Sequence, residues 1–367
     1  MAHAALTRIE QDGAYANLLV PRLVADVPER DRGLATELVY GSTRMRRALD
    51  FAVDRFLMRD PPPELRTILR LGAYQLLYLR VPAHAAVSET VALAPPRLRG
   101  VTNAVLRRVA TAGEPAWPDV ATRLSYPDWI VARLVHELGE ADALDALARM
   151  NVAPPVSVRA DGYVQDRSSQ WVGELVDAQA GERVVDLCAA PGGKATAMAA
   201  SGAFVVAADR QVARAGLVAA NVDRLGCGDR LAVLVADATA PALRDGSADR
   251  VLLDAPCSGL GALRRRPDAR WRITEADVIE LAALQARLLV AARALVRPGG
   301  LLVYSVCTLT AAESTDHDVQ PGDDGPWDVP TRPGAPWRPN GRGVRVLPQD
   351  ADTDGMTVLR WRRPVSG

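Results

Sequence analysis

The chain has 367 residues, of which 49% are hydrophobic and 24% charged, and its formal net charge at pH 7 is zero. This length suits two or three domains, and the composition is typical of a soluble globular protein. No apolar run reaches the roughly 18 residues of a membrane span, and the first residues lack the pattern of a signal peptide, so we expect a cytoplasmic protein that does not bind membranes.

Residues 1 to 112 are predicted to form an all-helical bundle. Apolar residues recur at helical spacing in 15–24, 33–40 and 65–79, and the segments are separated by prolines and glycines. A net charge of zero gives no global argument for nucleic acid, but arginines can gather locally. The candidates for a basic surface, with an ordinary solvated face as an equal alternative, are Arg44, Arg46, Arg47, Arg97, Arg99, Arg107 and Arg108.

Residues 113 to 164 are expected to be a connector with one helix over 128–150. From about 165 the pattern changes to short apolar strands that alternate with helices. The predicted strands are 183–187, 203–208, 231–236, 250–254, 301–306 and 356–361, the helices are 195–200, 211–224 and 275–296, and 319–343 is expected to be a loop. Continuous apolar strands between helices indicate a buried, mostly parallel sheet, so we predict an α + α/β protein.

The segment Asp186-Leu-Cys-Ala-Ala-Pro-Gly-Gly-Lys194 joins the first predicted strand to its helix. Ligands bind at the carboxyl ends of parallel strands, and Gly192 and Gly193 allow close backbone approach at a helix N-terminus. Lys194 is the only lysine among 44 basic residues. A lysine is expected at this position if the site needs a compact ammonium, for example to bind a carboxylate. The alternative is that this lysine remains by chance in an arginine-rich chain.

Two further acids follow the next strands. Asp209 ends the second strand, where a carboxylate commonly binds ribose hydroxyls. Asp237 follows the third strand, within reach of an adenine amino group. Either Asp alone is also a common helix cap. Together with Lys194, these strand ends fit S-adenosylmethionine better than a nicotinamide cofactor.

The fourth strand ends in Asp254-Ala-Pro-Cys257, and the fifth continues into Cys307. We expect these strands to be neighbours, which would bring the two cysteines together. The chain has four cysteines, none in CxxC spacing, so no zinc site is expected. Free cysteine is usually buried packing, but two at adjacent strand ends beside an acid fit packing poorly. The arginines 264–266, with Arg270, Trp271 and Arg272, offer phosphate contacts and an aromatic surface for a base.

This set of residues suits methylation of carbon 5 of cytosine. A thiolate that adds to carbon 6 makes carbon 5 nucleophilic enough to attack a methyl sulfonium. Asp254 would stabilise the charge that develops at ring nitrogen 3 if its carboxyl is protonated or shares a proton. The second cysteine is placed to assist release, and the target base must leave any stack.

The chain resembles the RsmB/Fmu/Sun family of bacterial 16S rRNA cytosine-5 methyltransferases. The catalytic motifs that carry the resemblance are Val164-Gln-Asp166, Asp186–Lys194, Asp254-Ala-Pro-Cys-Ser-Gly259 and Tyr304-Ser-Val-Cys-Thr308. The helical half is similar to a NusB-like RNA-binding domain through Arg32, Thr36–Gly41, Leu71–Leu77 and Asn103–Arg108.

The resemblance implies a NusB-like bundle (1–112), a connector (113–164) and a Rossmann-like class I methyltransferase domain (165–367). It implies Cys307 as the nucleophile, with Cys257, the position used by DNA cytosine-5 methyltransferases, as the rival. The implied catalytic residues are Cys307, Cys257 and Asp254, and the implied S-adenosylmethionine site is Cys188, Ala189, Ala190, Pro191, Gly192, Gly193, Lys194, Asp209, Asp237 and Asp254. The expected partner is RNA, with no metal and a monomeric state.

The chain departs from the family in three places. The small α+β insert that contributes to RNA docking is largely missing before Gln165, Ala311-Ala-Glu-Ser314 replaces consecutive acids and an Asn, and 315–343 is short. A catalytically weak RNA-binding ribosome-assembly factor is therefore an alternative. A methyltransferase acting on amino groups of protein or small molecules would carry Asn-Pro-Pro after the fourth strand, where this chain has Asp-Ala-Pro-Cys.

Overall fold

The computed structural model describes residues 1–79, 81–318 and 327–365, and these residues divide into two compact units. The helical unit comprises Met1–Ala153 together with the separate segment Leu263–Arg272. The sheet unit comprises Pro154–Ala262 and the described residues from Ile273 onward. The polypeptide thus leaves the sheet unit for ten residues in the middle of its sequence.

The helical unit is a bundle, as predicted for the N-terminal half. Its α-helices are α1 (Ala2–Glu10), α2 (Ala16–Val24), α3 (Glu29–Arg44), α4 (Arg46–Asp54), α5 (Pro63–Leu77), α6 (Ala83–Leu93), α7 (Arg99–Ala112), α8 (Val120–Leu124), α9 (Asp128–Leu138) and α10 (Glu140–Arg149). The single helix expected over 128–150 is two helices, because Gly139 adopts a φ of +80° that ends α9. Leu49, Leu69 and Leu106 are fully buried in one of its apolar clusters.

The segment Leu263–Arg272 packs into the helical unit through its arginines. Arg264 and Arg270 are 1% and 0% exposed. The Arg270 guanidinium lies 3.9 Å from the centre of the Tyr126 ring and donates a 2.8 Å hydrogen bond to Asn151. The Trp271 indole N–H donates to the carbonyl of Thr43 at 2.7 Å. The prediction that Arg264 and Arg270 contact RNA is therefore wrong, because both are enclosed by protein.

The predicted basic surface of the helical unit is also smaller than expected. Arg44 is 2% exposed, and Arg47 is held by Asp128 and the Tyr126 carbonyl. Arg97, Arg99, Arg107 and Arg108 are exposed, so these four remain available to solvent.

The sheet unit contains eight strands in the order β3-β2-β1-β4-β5-β8-β7-β6. They are β1 (Arg183–Asp186), β2 (Phe204–Asp209), β3 (Leu231–Val235), β4 (Ala248–Asp254), β5 (Val296–Val306), β6 (Arg338–Asn340), β7 (Gly343–Val346) and β8 (Met356–Arg362). The first five strands pair in parallel and the last three are antiparallel. The mostly parallel sheet is confirmed. Strand β6 lies within the expected loop 319–343, of which 319–326 is outside the described residues.

Helices cover both faces of the parallel strands. The helices of this unit are α11 (Arg167–Val176), α12 (Gly193–Ala200), α13 (Val212–Leu225), α14 (Glu275–Leu295) and α15 (Pro348–Ala351). One apolar cluster joins α11, α12 and α13 to alternate strand residues such as Val184, and a second joins α14 to the intervening ones such as Val185. Both faces are buried, which explains the continuous apolar strands. No helix of the described residues is long and apolar enough to cross a bilayer.

Candidate active site

The carboxyl ends of β4 and β5 bring the two expected cysteines together. Asp254 at the end of β4 is in register with Ser305 of β5, and the chains then continue to Cys257 and Cys307. The two Sγ atoms are 3.3 Å apart, within hydrogen-bonding distance for sulfur. The sheet order predicted from the apolar pattern is what places two thiols from residues 50 positions apart at one point.

The protonation of the cysteine pair is uneven. The hydrogen bond to Cys307 and burial raise the pKa of Cys257 well above its ordinary value, with further contributions from negative charge on Cys307 and from Glu313. Cys257 therefore stays a thiol at neutral pH and is the donor when Cys307 is a thiolate. Burial, followed by Asp186, also raises the pKa of Cys188, so this cysteine is a poor nucleophile.

Lys194 forms an ion pair with Asp254. Its Nζ atom donates to Asp254 Oδ2 at 2.6 Å, while Ser305 Oγ donates to Asp254 Oδ1 at 2.7 Å. Burial lowers the pKa of Lys194, but the charge and the hydrogen bond of Asp254 outweigh it, so the pKa of Lys194 is raised. The only lysine of the chain thus stays charged beside the cysteine pair.

The glycine turn between β1 and α12 is shaped by its neighbours. Gly192 has a φ of +106°, which favours glycine, and a Cβ there would lie 3.2 Å from the Val218 side chain. A Cβ on Gly193 would come within 2.9 Å of the Tyr163 ring. Gly193 therefore allows Tyr163 and Gln165 to pack against the start of α12, and Gly192 allows Val218 of α13 to approach the turn.

A cavity of about 140 Å³ lies at this turn. It is lined by Tyr163, Val164, Gln165, Ser169, Asp186, Cys188, Ala189, Ala190, Pro191, Gly193, Lys194 and Asp254. Most of the residues expected to bind the cofactor therefore share one cavity.

Asp186 is a cavity residue that the sequence prediction did not include. It is 1% exposed, and its Oδ1 atom has no hydrogen-bond partner among the described residues. Burial, together with the charge of Asp254, raises its pKa to about 7. The one sequence feature that could have indicated Asp186 as a site residue is its position as an acid at the end of the apolar strand β1.

The other two expected cofactor acids stand apart from this cavity. Asp209, at the end of β2, is 6% exposed and accepts a hydrogen bond from Arg214 Nε at 3.0 Å. Asp237 is exposed and accepts from the backbone N–H of Thr239 at 2.9 Å, the main cause of its lowered pKa. Their role in binding stays a prediction.

Comparisons with known proteins identify the family. The family described as "16S rRNA methyltransferase RsmB/F" matches residues 174–321, and the NusB family matches residues 1–111. "Ribosomal RNA small subunit methyltransferase B" of Serratia proteamaculans (strain 568) is 32% identical over 378 residues, which cover 86% of this chain and 87% of that protein. The chain belongs to the RsmB/F family. Members of the RsmB/F family are S-adenosylmethionine-dependent methyltransferases, so S-adenosylmethionine is the cofactor.

Another relative and a solved structure are similar to this chain over almost its whole length. A protein of Mycobacterium tuberculosis (strain CDC 1551 / Oshkosh), named as a methyltransferase, is 36% identical over 445 residues, covering 99% of this chain and 95% of that protein. The aligned length exceeds this chain, so that relative carries segments absent here. The crystal structure titled PH0851 has a TM-score of 0.79 at 21% identity, over 99% of this chain and 97% of that one, which shows a shared fold.

Proposed function

We propose that this RsmB/F protein methylates carbon 5 of a cytosine in 16S rRNA through a covalent adduct between Cys307 and carbon 6. The observation that carries the proposal is the cysteine pair with a 3.3 Å Sγ separation beside the Lys194–Asp254 ion pair. Carbon 5 of cytosine is unreactive until a nucleophile adds to the neighbouring carbon. A methyltransferase for amino or hydroxyl groups needs no such thiol pair.

Cys307 is the proposed nucleophile, as the family resemblance implies. The geometry is compatible with this choice, because a protonated Cys257 thiol at 3.3 Å can donate a hydrogen bond to a Cys307 thiolate. When the Cys307 thiolate adds to carbon 6, the electron pair of the carbon 5–carbon 6 double bond forms a double bond between carbons 4 and 5, and the pair of the carbon 4–nitrogen 3 double bond moves onto nitrogen 3. Carbon 5 is then the nucleophilic carbon of an enamine.

The ion pair of Lys194 and Asp254 is proposed to stabilise the charge that develops at ring nitrogen 3. Asp254 can play this part only if its carboxyl group carries or shares a proton. The Lys194 ammonium donates a hydrogen bond to that carboxyl group at 2.6 Å and so shares a proton with it. Ser305 fixes the other carboxyl oxygen, so the orientation of Asp254 is set before substrate arrives.

Cys257 is proposed to assist the end of the reaction. Once carbon 5 carries the methyl group, its proton passes to a base such as water and the electron pair of that C–H bond re-forms the carbon 5–carbon 6 double bond. The bond between carbon 6 and Cys307 breaks with its electron pair on sulfur. The Cys257 thiol, 3.3 Å from Cys307, can then donate a hydrogen bond to the departing sulfur. This lowers the free energy of expelling a thiolate in a partly buried site.

The cavity residues fit the cofactor. S-adenosylmethionine, when bound, supplies the methyl group as an electrophilic sulfonium. We propose that the turn Cys188–Lys194 and Asp254 hold it, with Asp209 and Asp237 at its adenosine end. The unpartnered Oδ1 atom of Asp186 is an acceptor suited to a cationic group in this cavity.

The RNA substrate is inferred from the names of the relatives and from the NusB match. We propose that 1–112 is the RNA-binding domain, 113–164 the connector and 165–367 the methyltransferase domain of a cytoplasmic, monomeric enzyme. The alternative of a non-catalytic assembly factor is not favoured, because the chain keeps both the Cys257–Cys307 contact and the Lys194–Asp254 ion pair.

The proposal is tested with rRNA that contains 5-fluorocytosine. Fluorine cannot leave carbon 5 as a cation, so the reaction stops at the covalent adduct after methylation. A denaturing gel should show a protein–RNA complex that requires S-adenosylmethionine, and peptide mapping should locate the RNA on Cys307. Methylated RNA without any adduct would contradict the covalent route.

A further inference from the structure

Glu313 is a buried carboxylate in the loop that follows β5. It is 0% exposed. Within the described residues its oxygens accept hydrogen bonds from the Ser258 N–H at 2.7 Å and the Ser258 hydroxyl at 2.5 Å, among others. The remaining donors are Thr308 Oγ1 at 3.1 Å, Thr310 Oγ1 at 3.0 Å and Gln285 Nε2 at 3.3 Å. This donor set suits an ionised carboxylate, which only accepts.

The partners of Glu313 are the residues that follow the two cysteines. Ser258 comes directly after Cys257, and Thr308 comes directly after Cys307. Their hydroxyl oxygens are also 2.9 Å from each other. One side chain therefore ties together the loop after β4 and the loop after β5 at the point where each presents its thiol.

Two further contacts hold the first loop and the backbone of Glu313. Gln285 of α14 donates from Nε2 to the carbonyl of Pro256 at 2.8 Å, so the residue before Cys257 is held as well. The Tyr304 hydroxyl donates to the backbone carbonyl of Glu313 at 2.6 Å. Glu313 is thus fixed from β5 and from α14 while it fixes Ser258.

We propose that Glu313 is a positioning residue that holds Cys257 and Cys307 at hydrogen-bonding distance, and that release of the product depends on this alignment. The second part rests on the function proposed above. In the sequence, Ala311-Ala-Glu-Ser314 is a departure from the family pattern. The structure assigns a specific task to the acid that this segment keeps.

The charge of Glu313 also affects the cysteine pair. It is one of the groups that raise the pKa of Cys257, after the Cys307 hydrogen bond, burial and the Cys307 charge. A negative charge behind Cys257 favours the thiol there. Cys257 then remains the donor of the pair.

The alignment can be measured without RNA. Diamide oxidises two neighbouring thiols to a disulfide and takes up their two protons and two electrons. The rate at which the Cys257–Cys307 disulfide forms, read by peptide mapping, therefore reports how well the two sulfurs are aligned. In E313Q the amide puts a donor where hydroxyl donors point, and we expect this rate to fall at least about tenfold.

The matched control is E182Q. Glu182 is a partly buried carboxylate that accepts hydrogen bonds from the Arg250 side chain. It lies at the amino end of β1, whereas the cysteines lie at the carboxyl ends of the strands. It should keep the wild-type rate of disulfide formation. A wild-type rate in folded E313Q would overturn the proposal. If E313Q fails to fold, T310V removes one donor at constant shape, and a rate less than about threefold below wild type would overturn the proposal instead.

The second readout concerns turnover on rRNA. E313Q should bind S-adenosylhomocysteine like wild type in calorimetry, turn over at least about tenfold more slowly, and accumulate the Cys307–RNA adduct. Slow disulfide formation with wild-type turnover would overturn the role in release and keep the positioning role. If wild type forms no adduct on 5-fluorocytosine RNA, the proposed function fails, whereas the diamide result still decides the alignment.

Discussion

The Sγ atoms of Cys257 and Cys307 lie 3.3 Å apart at the ends of two adjacent parallel strands. The hydrogen bond to Cys307 and burial raise the pKa of Cys257, so a protonated Cys257 thiol can donate to a Cys307 thiolate. This short contact is what the proposed roles of the two residues require.

Replacement of Cys257 by Ala should separate methylation from release. Without the thiol that assists departure of Cys307, the C257A enzyme should complete one slow turnover and remain attached to RNA. A denaturing gel would measure the attached fraction. C227A is the matched control, since the Cys227 thiol contacts the Val222 carbonyl. Normal multiple turnover of C257A without an adduct would refute the release role.

Replacement of Lys194 by Arg should weaken cofactor binding although the charge is kept. The Nζ atom fits at 2.6 Å from Asp254 in a side chain that is 11% exposed, and a planar guanidinium cannot take that place without displacing Asp254. We expect the Kd for S-adenosylhomocysteine to rise at least about fivefold in calorimetry. R183K, at an exposed position on β1, should bind normally. Unchanged affinity of K194R would count against the argument from the single lysine.

The sequence predicted two parts of the site because both depend on the positions where strands end. One apolar run ends in Asp254 and another leads into Cys307. Both runs indicate buried parallel strands, whose carboxyl ends lie at one edge of the sheet. The cysteine pair and the cavity residues Cys188–Pro191 were predictable for this reason. The switch from helical to strand periodicity near residue 165 likewise indicated the two fold classes.

The remaining features depend on tertiary contacts that sequence periodicity does not encode. From sequence alone an arginine is expected to be a solvated cation, yet the Arg270 guanidinium is buried against the Tyr126 ring. The Lys194–Asp254 pair joins residues 60 positions apart, so neither residue signals the other. Glu313 lies in a segment that looked like a departure from the family, and only its buried donors reveal what it holds.

Arg270 should act on stability and not on RNA binding. R270M removes donors from the Arg44 and Ser125 carbonyls and the Asn151 side chain, and a cation from the Tyr126 ring. We expect the free energy of unfolding to fall by about 3 kcal/mol in urea titrations. R30M, at a side chain that is 87% exposed, should change it by less than about 0.5 kcal/mol. A stable R270M protein with weakened RNA binding would restore the original RNA-contact prediction.

Asp186 should make the stability of the ligand-free protein depend on pH. Its pKa is about 7 in the folded protein against an ordinary 3.8, so between these values the folded state holds a proton that the unfolded state has lost. Stability therefore falls as pH rises from about 4 to 7, by up to about 1.4 kcal/mol per unit, and the loss is complete above that range.

The D186N variant cannot titrate at this position. In urea unfolding at several pH values, its stability should decline less steeply than that of wild type between pH 4.5 and 7. Parallel pH curves for the two proteins would show that Asp186 ionises at its ordinary pKa in the folded state.

Methylation of carbon 5 through Cys307 is tested by methyl transfer from labelled S-adenosylmethionine to naked small-subunit rRNA, with wild type compared with C307A. We expect label on carbon 5 of a cytosine with wild type and none with C307A, while both proteins bind S-adenosylhomocysteine. Label on another atom, or wild-type transfer by C307A, would contradict this proposal.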